Sequence, residues 1–293
     1  MSRTEDEIIE SWSSRQAPVV SVCTITYNHV NFIRQTLDSI LDQITSFPIE
    51  VLVHDDASTD GTTDLVLDYA ERYPTIVRPI IQSKNQYSST GGLIAPRFVY
   101  PSARGKYIAL CEGDDYWGDN MKLEKQVKFL DSNPDFVITY AVAKAFNASG
   151  ELERDFGGAI RDLSSKELRL GTPINTLTAC FRNVIRDIHP DLLSARIGDQ
   201  VQWSLLSAFG KGKFLSNVGP SYYRVHDGGT HSMISVEKKV ERALITSNAL
   251  MAFYSATGDK ESSNFFLRKS FFLTRRLVGW KELIRFWIEQ KLP

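Results

Sequence analysis

Glu112, Asp114 and Asp115 crowd into the run CEGDDYW (Cys111 to Trp117), directly after the short apolar stretch Tyr107 to Cys111. Three like charges so close together are unfavourable unless a cation or protons offset them. Carboxylate oxygens at a strand end suit Mg2+ or Mn2+, ions that also bind phosphates. Gly113 between them lets the backbone come close to such a ligand. The plainer reading is a solvated acidic turn that caps a helix at Asn120, for which one side chain is enough. A second cluster, HDDASTDGT (His54 to Thr62), follows another apolar run. Asp55 and Asp56 can accept hydrogen bonds from a base or ribose, while Ser58, Thr59 and Asp60 can turn the chain and cap a helix. Here a plain loop with an N-cap is the alternative. Taken with the first cluster, the plain loop loses ground.

The surrounding pattern supplies a frame. Val19 to Ile25 is short and β-branched, a buried strand rather than a helix. Ile33, Leu37, Ile40, Leu41 and Ile44 then recur at amphipathic-helix spacing. Ile49 to Val53 is a second strand, followed by a helix with Leu65, Tyr69 and Tyr73 on one side and by a third strand, Val77 to Ile81. A helix near Ile94 to Tyr100 leads to the fourth strand, Tyr107 to Cys111. This alternation predicts a parallel α/β sheet. Such sheets bind ligands beyond the carboxyl ends of their strands. Tyr27-Asn28, Asp55-Asp56 and Glu112 to Asp115 are therefore expected to converge. Further on, the pattern predicts a helix with Leu123, Val127 and Leu130, a strand-like run from Phe136 to Phe146, and irregular charged chain over 150–175. A buried segment around Leu177 to Phe181, a helix from about Asp199 to Phe209 and a strand over Lys213 to Val218 follow. From Ser235 only helix is expected.

Composition narrows the class. The 293 residues carry 34 Lys and Arg against 35 Asp and Glu, a net charge of −1 with no general pull toward nucleic acid. Hydrophobic residues at 42% and charged residues at 24% fit a soluble globular enzyme. Cys23, Cys111 and Cys180 have neither metal-ligand spacing nor a disulfide framework, and read as buried thiols of a cytosolic protein. The start, MSRTEDEIIESW, lacks the basic and apolar regions of a signal peptide, and no apolar stretch nears the ~20 residues of a membrane span. Residues 1–17 read as a polar extension or short helix, 18–234 as the main domain, and 235–293 as a helical region.

Six motifs in order resemble glycosyltransferase family 2. They are PVVSVCTITYN (Pro18 to Asn28), FIRQTLDSILDQ (Phe32 to Gln43), IEVLVHDDASTDGT (Ile49 to Thr62), GKYIALCEGDDYW (Gly105 to Trp117), KLEKQVKFL (Lys122 to Leu130) and YRVHDGG (Tyr223 to Gly229). The resemblance covers roughly Pro18 to Ser232. It implies a GT-A fold: a Rossmann-like, mainly parallel central sheet flanked by helices, here with a C-terminal helical extension. It also implies inverting transfer of a sugar from a nucleoside-diphosphate donor, a UDP-sugar, with Mn2+ or Mg2+ as cofactor. The acceptor is then a hydroxyl of a glycan or lipid-linked molecule in surface polysaccharide or glycan assembly.

Carried over by position, Tyr27, Asn28, Asp55 and Asp56 face the nucleotide, with Asp56 accepting from the ring N–H of the base. Glu112-Gly113-Asp114 takes the D-x-D place. Asp114 is the direct metal ligand, while Glu112 is longer than the usual Asp and could reach the ribose or a metal-bound water. His226 matches a further metal ligand. The catalytic base matches Asp199 in IGDQVQW, where Gly198 replaces the usual Glu. Asp187 and Asp191 are neighbouring alternatives, and a helix N-cap is the plain reading of Asp199.

Residues 262–293 interleave aromatics with cations, among them Phe265, Phe266, Arg268, Phe271, Phe272, Arg275, Arg276, Trp280, Arg285 and Trp287. Such a tail either lies on an anionic membrane at its cytoplasmic face or packs its aromatics on the catalytic domain or on a second subunit of a homo-oligomer. Two other functional classes remain. A non-catalytic nucleotide-sugar-binding module would share the residues without turnover. A nucleotidyltransferase would want a glycine-rich basic loop where Thr26-Tyr27-Asn28-His29 stands.

Overall fold

The computed structural model describes residues 3–14, 16–153, 157–227 and 234–289. The chain opens with α1 (Glu5–Glu10), then alternates β1 (Val20–Thr26), α2 (Ile33–Leu41), β2 (Ile49–Asp55), α3 (Thr62–Arg72), β3 (Val77–Ile81) and α4 (Gln86–Thr90). A π-helical turn, Ala95–Val99, leads into β4 (Tyr107–Leu110) and the two-residue β5 (Tyr116–Trp117). Next come α5 (Lys122–Ser132), β6 (Phe136–Tyr140), β7 (Ala143–Asn147), β8 (Gly150–Leu152), α6 (Ser165–Arg169), β9 (Cys180–Arg182) and α7 (Gly198–Leu206). The chain closes through β10 (Lys211–Phe214), β11 (Ser221–Arg224), α8 (Val236–Ala256) and α9 (Lys260–Glu289).

Seven strands form the main sheet in the order β10-β6-β9-β4-β1-β2-β3. β1 runs parallel to β2 and β4, β2 to β3, and β10 to β6, while β9 is antiparallel to both its neighbours. Mainly parallel is thus correct. Side chains alternate across the sheet, so both faces need cover. Val20, Val22, Val51, Val53 and Ala109 pack under α2, α3 and α5. Cys23, Leu52, Ile108 and Leu110 pack under the Ala95–Tyr100 turn and Trp203 and Leu206 of α7. A second sheet, β5-β11-β7-β8, stands beside the carboxyl end of the first.

Several expectations need correction. The strand-like run from Phe136 to Phe146 divides between the two sheets, because β6 ends at Tyr140 and β7 begins at Ala143. The strand expected over Lys213 to Val218 lies earlier, at Lys211–Phe214. The helix near Ile94 to Tyr100 is a π turn followed by a 3-10 turn, Tyr100–Ser102. Ile44 lies beyond α2 and is 44% exposed. The stretch 150–175 holds β8 and α6. α1 is a docked helix: Ile8 enters the core, and the Glu5 carboxylate accepts from the amides of Thr75 and Ile76. The helical region packs on the main domain, one of the placements expected for it. Ala249, Leu250, Tyr254 and Phe266 share a core with Leu93, Leu192, Ala195 and Val201.

Candidate active site

The acidic run leaves β4 beside the end of β1, with the Gly113 amide donating to the Ile25 carbonyl at 2.9 Å. From α2, the Thr36 hydroxyl reaches the carbonyls of Gly113 (3.0 Å) and Asp115 (2.6 Å) and fixes the turn. A Cβ on Gly113 would stand 2.6 Å from Thr26 Oγ1 and 3.0 Å from His29 Nδ1. Glycine is therefore required there for packing between loops. The capping alternative for the cluster fails: Asp119, not Glu112, Asp114 or Asp115, accepts from the Met121 amide at the start of α5.

The tail of β11 is latched onto this run. The Arg224 amide donates to Asp115 Oδ1 (2.8 Å), and its Nε donates to the Asp114 carbonyl (2.8 Å). Its guanidinium lies 4.7 Å from the Phe32 ring and 4.4 Å from that of Phe146. Two residues on, His226 Nε2 stands 3.0 Å from Asp114 Oδ2. On the other side His29 Nε2 stands 3.7 Å from the same oxygen. The donor atoms of His29, Asp114 and His226 all lie within 4.8 Å of one another. Asp227 follows His226, and the glycines after it lie outside the described residues.

The three carboxylates have different protonation preferences. Burial pushes Glu112 up, Asp114 and then Asp199 add to the push, and its pKa reaches about 7. Burial also raises Asp115 well above the carboxylate range, helped by Asp114 and Glu112. Burial would raise Asp114 as well, but the His226 hydrogen bond and the two imidazoles outweigh it and hold the group low. Burial depresses His29 against the opposing pull of Asp114. One anionic oxygen thus faces two imidazoles.

At the ends of β1 and β2, the polar residues first organise their own loops. Asn28 adopts φ 54°, donates its amide to Ser58 Oγ and accepts the Thr59 amide on Oδ1, each at 2.9 Å. Asp55 is buried and accepts from the hydroxyls of Ser58 and Thr63. Asp56 is buried too, and its two oxygens accept the amides of Gln86 (2.7 Å) and Tyr87 (2.9 Å) at the start of α4. Tyr27, by contrast, is 43% exposed. Asp60 accepts from the Thr62 amide at 3.0 Å and so turns the chain, but the N-cap of α3 is Gly61, and the side-chain cap expected from this run is not made.

Asp199 sits in the first turn of α7, whose N-cap is Ile197, so it is not the cap. A Cβ on Gly198 would stand 1.9 Å from the Gly92 carbonyl oxygen. No side chain fits, which explains why glycine replaces the usual Glu. From α8, Thr246 Oγ1 accepts the amides of Arg196 and Ile197, both at 3.0 Å, and so pins the segment leading to Asp199. Asp199 is within electrostatic reach of Glu112 and adds to the rise of its pKa. Of the alternatives, Asp191 lies 3.5 Å from His189 and Asp187 is exposed.

The structure therefore gathers Glu112, Gly113, Asp114 and His226 tightly, sets the loops of Asn28 and Asp56 against them through Thr26, and leaves Asp199 within electrostatic reach of Glu112. His29 escaped the sequence reading. Its signal was present as a histidine directly after the Tyr27-Asn28 strand end.

Among known proteins, the Glycosyl transferase family 2 model matches residues 21–192, more than half of the chain. The chain belongs to that family. It is 39% identical over 165 residues to an uncharacterised protein of Mycobacterium tuberculosis, covering 56% of this chain and 46% of that one. The chain thus spans about half the length of its mycobacterial relatives. It is 29% identical over 216 residues to an Escherichia coli UDP-Glc:alpha-D-GlcNAc-diphosphoundecaprenol beta-1,3-glucosyltransferase, covering 72% of this chain and 78% of that one. The fold resembles S. aureus TarS in complex with UDP-GlcNAc (TM-score 0.62, 18% identity, 88% of this chain and 74% of that one). It also resembles a Pyrobaculum calidifontis mannosyltransferase in complex with GDP-Man and Mn2+ (TM-score 0.55, 18% identity, 99% and 87%). These likenesses define a GT-A fold with added C-terminal helices.

Proposed function

We propose that this chain is an inverting glycosyltransferase that moves a sugar from a UDP-sugar to an acceptor hydroxyl. The observation that carries the reading is the meeting of Asp114 with His226 just beyond the carboxyl end of β4, next to a buried Glu112 that feels the charge of Asp199. Exposed Tyr27 is free to lie against the base. An ionised carboxylate has about four acceptor sites, so Asp56 can take a base N–H besides the two amides it already holds. Asn28 and Asp55 keep that loop in shape.

Asp114 and His226, 3.0 Å apart, fit a divalent cation, Mn2+ or Mg2+. Bound there, the cation would offset charge on the departing diphosphate. Asp199 takes the proton of the acceptor hydroxyl as its oxygen bonds to the anomeric carbon and the bond to the diphosphate breaks. That assistance is typically worth ~10²–10⁴-fold. A single base and direct attack give inversion. Glu112, with a pKa of about 7 and a buried Oε2 lacking a partner, can donate to a sugar or ribose oxygen.

The acceptor reading is a lipid-linked or other glycan at a membrane surface. The acceptor in the E. coli relative's name supports it. So does α9, which buries Phe266 but exposes Phe265, Leu267, Phe271 and Phe272 among Arg268 and Arg276. The side chains of Trp280, Arg285 and Trp287 lie outside the described residues. No helix among the described residues is long and apolar enough to cross a membrane.

The test is a panel of nucleotide-sugars with Mn2+ or Mg2+, scored for nucleoside-diphosphate release by wild type and Asp199→Asn. Release from one donor class by wild type, lost in the variant, supports transfer. Binding of donors without release by either protein would instead mark a non-catalytic module.

A further inference from the structure

His29 has a place in the site but no role in the reaction described so far. Its backbone amide donates to Thr62 Oγ1 at 2.8 Å, which fixes the start of its side chain. Its ring meets that of His226 edge to face at 6.0 Å. Nε2 points at Asp114 Oδ2 from 3.7 Å, too far for a hydrogen bond, which ends near 3.2 Å. Nδ1 is buried with no partner, against the face of Gly113 where a Cβ would stand 3.0 Å away. Most buried polar side-chain atoms find a hydrogen-bond partner. Here Nδ1 has no partner, and Nε2 meets only the Asp114 carboxylate, at 3.7 Å.

The spacing fits a shared ion. Two ligands bound at about 2.1 Å to one six-coordinate ion lie roughly 3.0 Å apart when adjacent and roughly 4.2 Å apart when opposite. The Asp114 oxygen lies 3.0 Å from His226 and 3.7 Å from His29. All three donors lie within 4.8 Å of one another, so closing on an ion needs movements well under a residue's width.

We propose that His29 is a third protein ligand of the cation, giving a set of two imidazoles and one carboxylate that selects Mn2+ over Mg2+. This rests on the metal reading of the proposed function. Mn2+ also favours oxygen ligands, but as a first-row transition ion it accepts imidazole nitrogen more readily than Mg2+, which dehydrates reluctantly and demands near-ideal octahedral geometry. Three protein ligands leave positions on a six-coordinate ion for diphosphate oxygens.

The experiment uses the full chain with Mn2+ and UDP, read by electron spin-echo envelope modulation and by Mn2+ and Mg2+ titration. Wild type is expected to show two coupled imidazole nitrogens. His29→Ala should show one, with Mn2+ affinity at least roughly tenfold weaker, as loss of metal-site partners costs. Its Mg2+ affinity should change far less, so the Mn2+ preference collapses. His29→Asn, which keeps a polar side chain, guards against misfolding, and the wild-type spectrum needs no variant. A single coupled nitrogen in wild type, lost in His226→Ala and unaffected in His29→Ala, overturns the inference while leaving the metal reading intact. Mn2+ binding that survives Asp114→Asn overturns the metal reading itself.

Discussion

Replacing Glu112 by Gln should make the metal-free protein more stable at high pH. Glu112 lies with Oε2 buried and without a partner, and burial, Asp114 and Asp199 raise its pKa from 4.5 to about 7. Between those values the folded chain keeps a proton that the unfolded chain has released. The stabilisation from that proton is complete below pH 4.5 and is lost as pH rises through about 7. At about 1.4 kcal/mol per pH unit, the interval amounts to roughly 3 kcal/mol. Glutamine has the same shape and no charge to bury. Urea denaturation of wild type and Glu112→Gln, from pH 4 to pH 9 without divalent ions, reads the difference directly. Titrations away from Asp114 and Asp115, which share the pocket with Glu112, are common to both proteins and cancel. The variant should gain roughly 3 kcal/mol over wild type between pH 4 and pH 8. Parallel curves would mean that Glu112 ionises freely in the fold, and the description of a shared acidic pocket would be wrong.

Two further outcomes concern the positioning of Asp199. Gly198→Ala puts a Cβ 1.9 Å from the Gly92 carbonyl oxygen, so one backbone must yield. A stability loss of about 1–3 kcal/mol in thermal unfolding is expected. Transfer should fall on the order of 10²-fold, the cost of a misplaced reacting group. Thr246→Val removes the acceptor for the amides of Arg196 and Ile197. Chemical denaturation should register about 1–3 kcal/mol of lost stability, and steady-state kinetics should show a larger drop in kcat than in donor affinity.

The part of the fold nearest the site was the part most legible in the sequence. β1, β2 and β4 are short, mainly apolar runs buried on both faces, β3 is a half-exposed edge strand, and the polar residues that end β1, β2 and β4 stand out against apolar neighbours. The division between β6 and β7 left no comparable mark. Ala141 and Val142 keep strand character while the chain passes from one sheet to the other, a change set by tertiary pairing. Residues 150–175 hid α6 because five residues give too little periodicity, although its capping box of Ser164 and Glu167 was written there. The place of Asp56 after β2 points to a base contact, whereas its bonds to Gln86 and Tyr87 depend on the course of a distant loop. His29 was overlooked for the same reason: its significance comes from Asp114 and His226, which lie far away in the chain.

On the proposed function, loops remote in sequence form one grip for a cation and a diphosphate, with Asp199 within reach of the acceptor. Calorimetric titration of UDP and GDP, with and without Mn2+, into wild type, Asp114→Asn and Asp199→Asn tests this most directly. Mn2+ should tighten binding of at least one nucleotide to wild type and to Asp199→Asn, and should make no difference to Asp114→Asn. Nucleotide binding that ignores the metal in all three proteins would contradict the account.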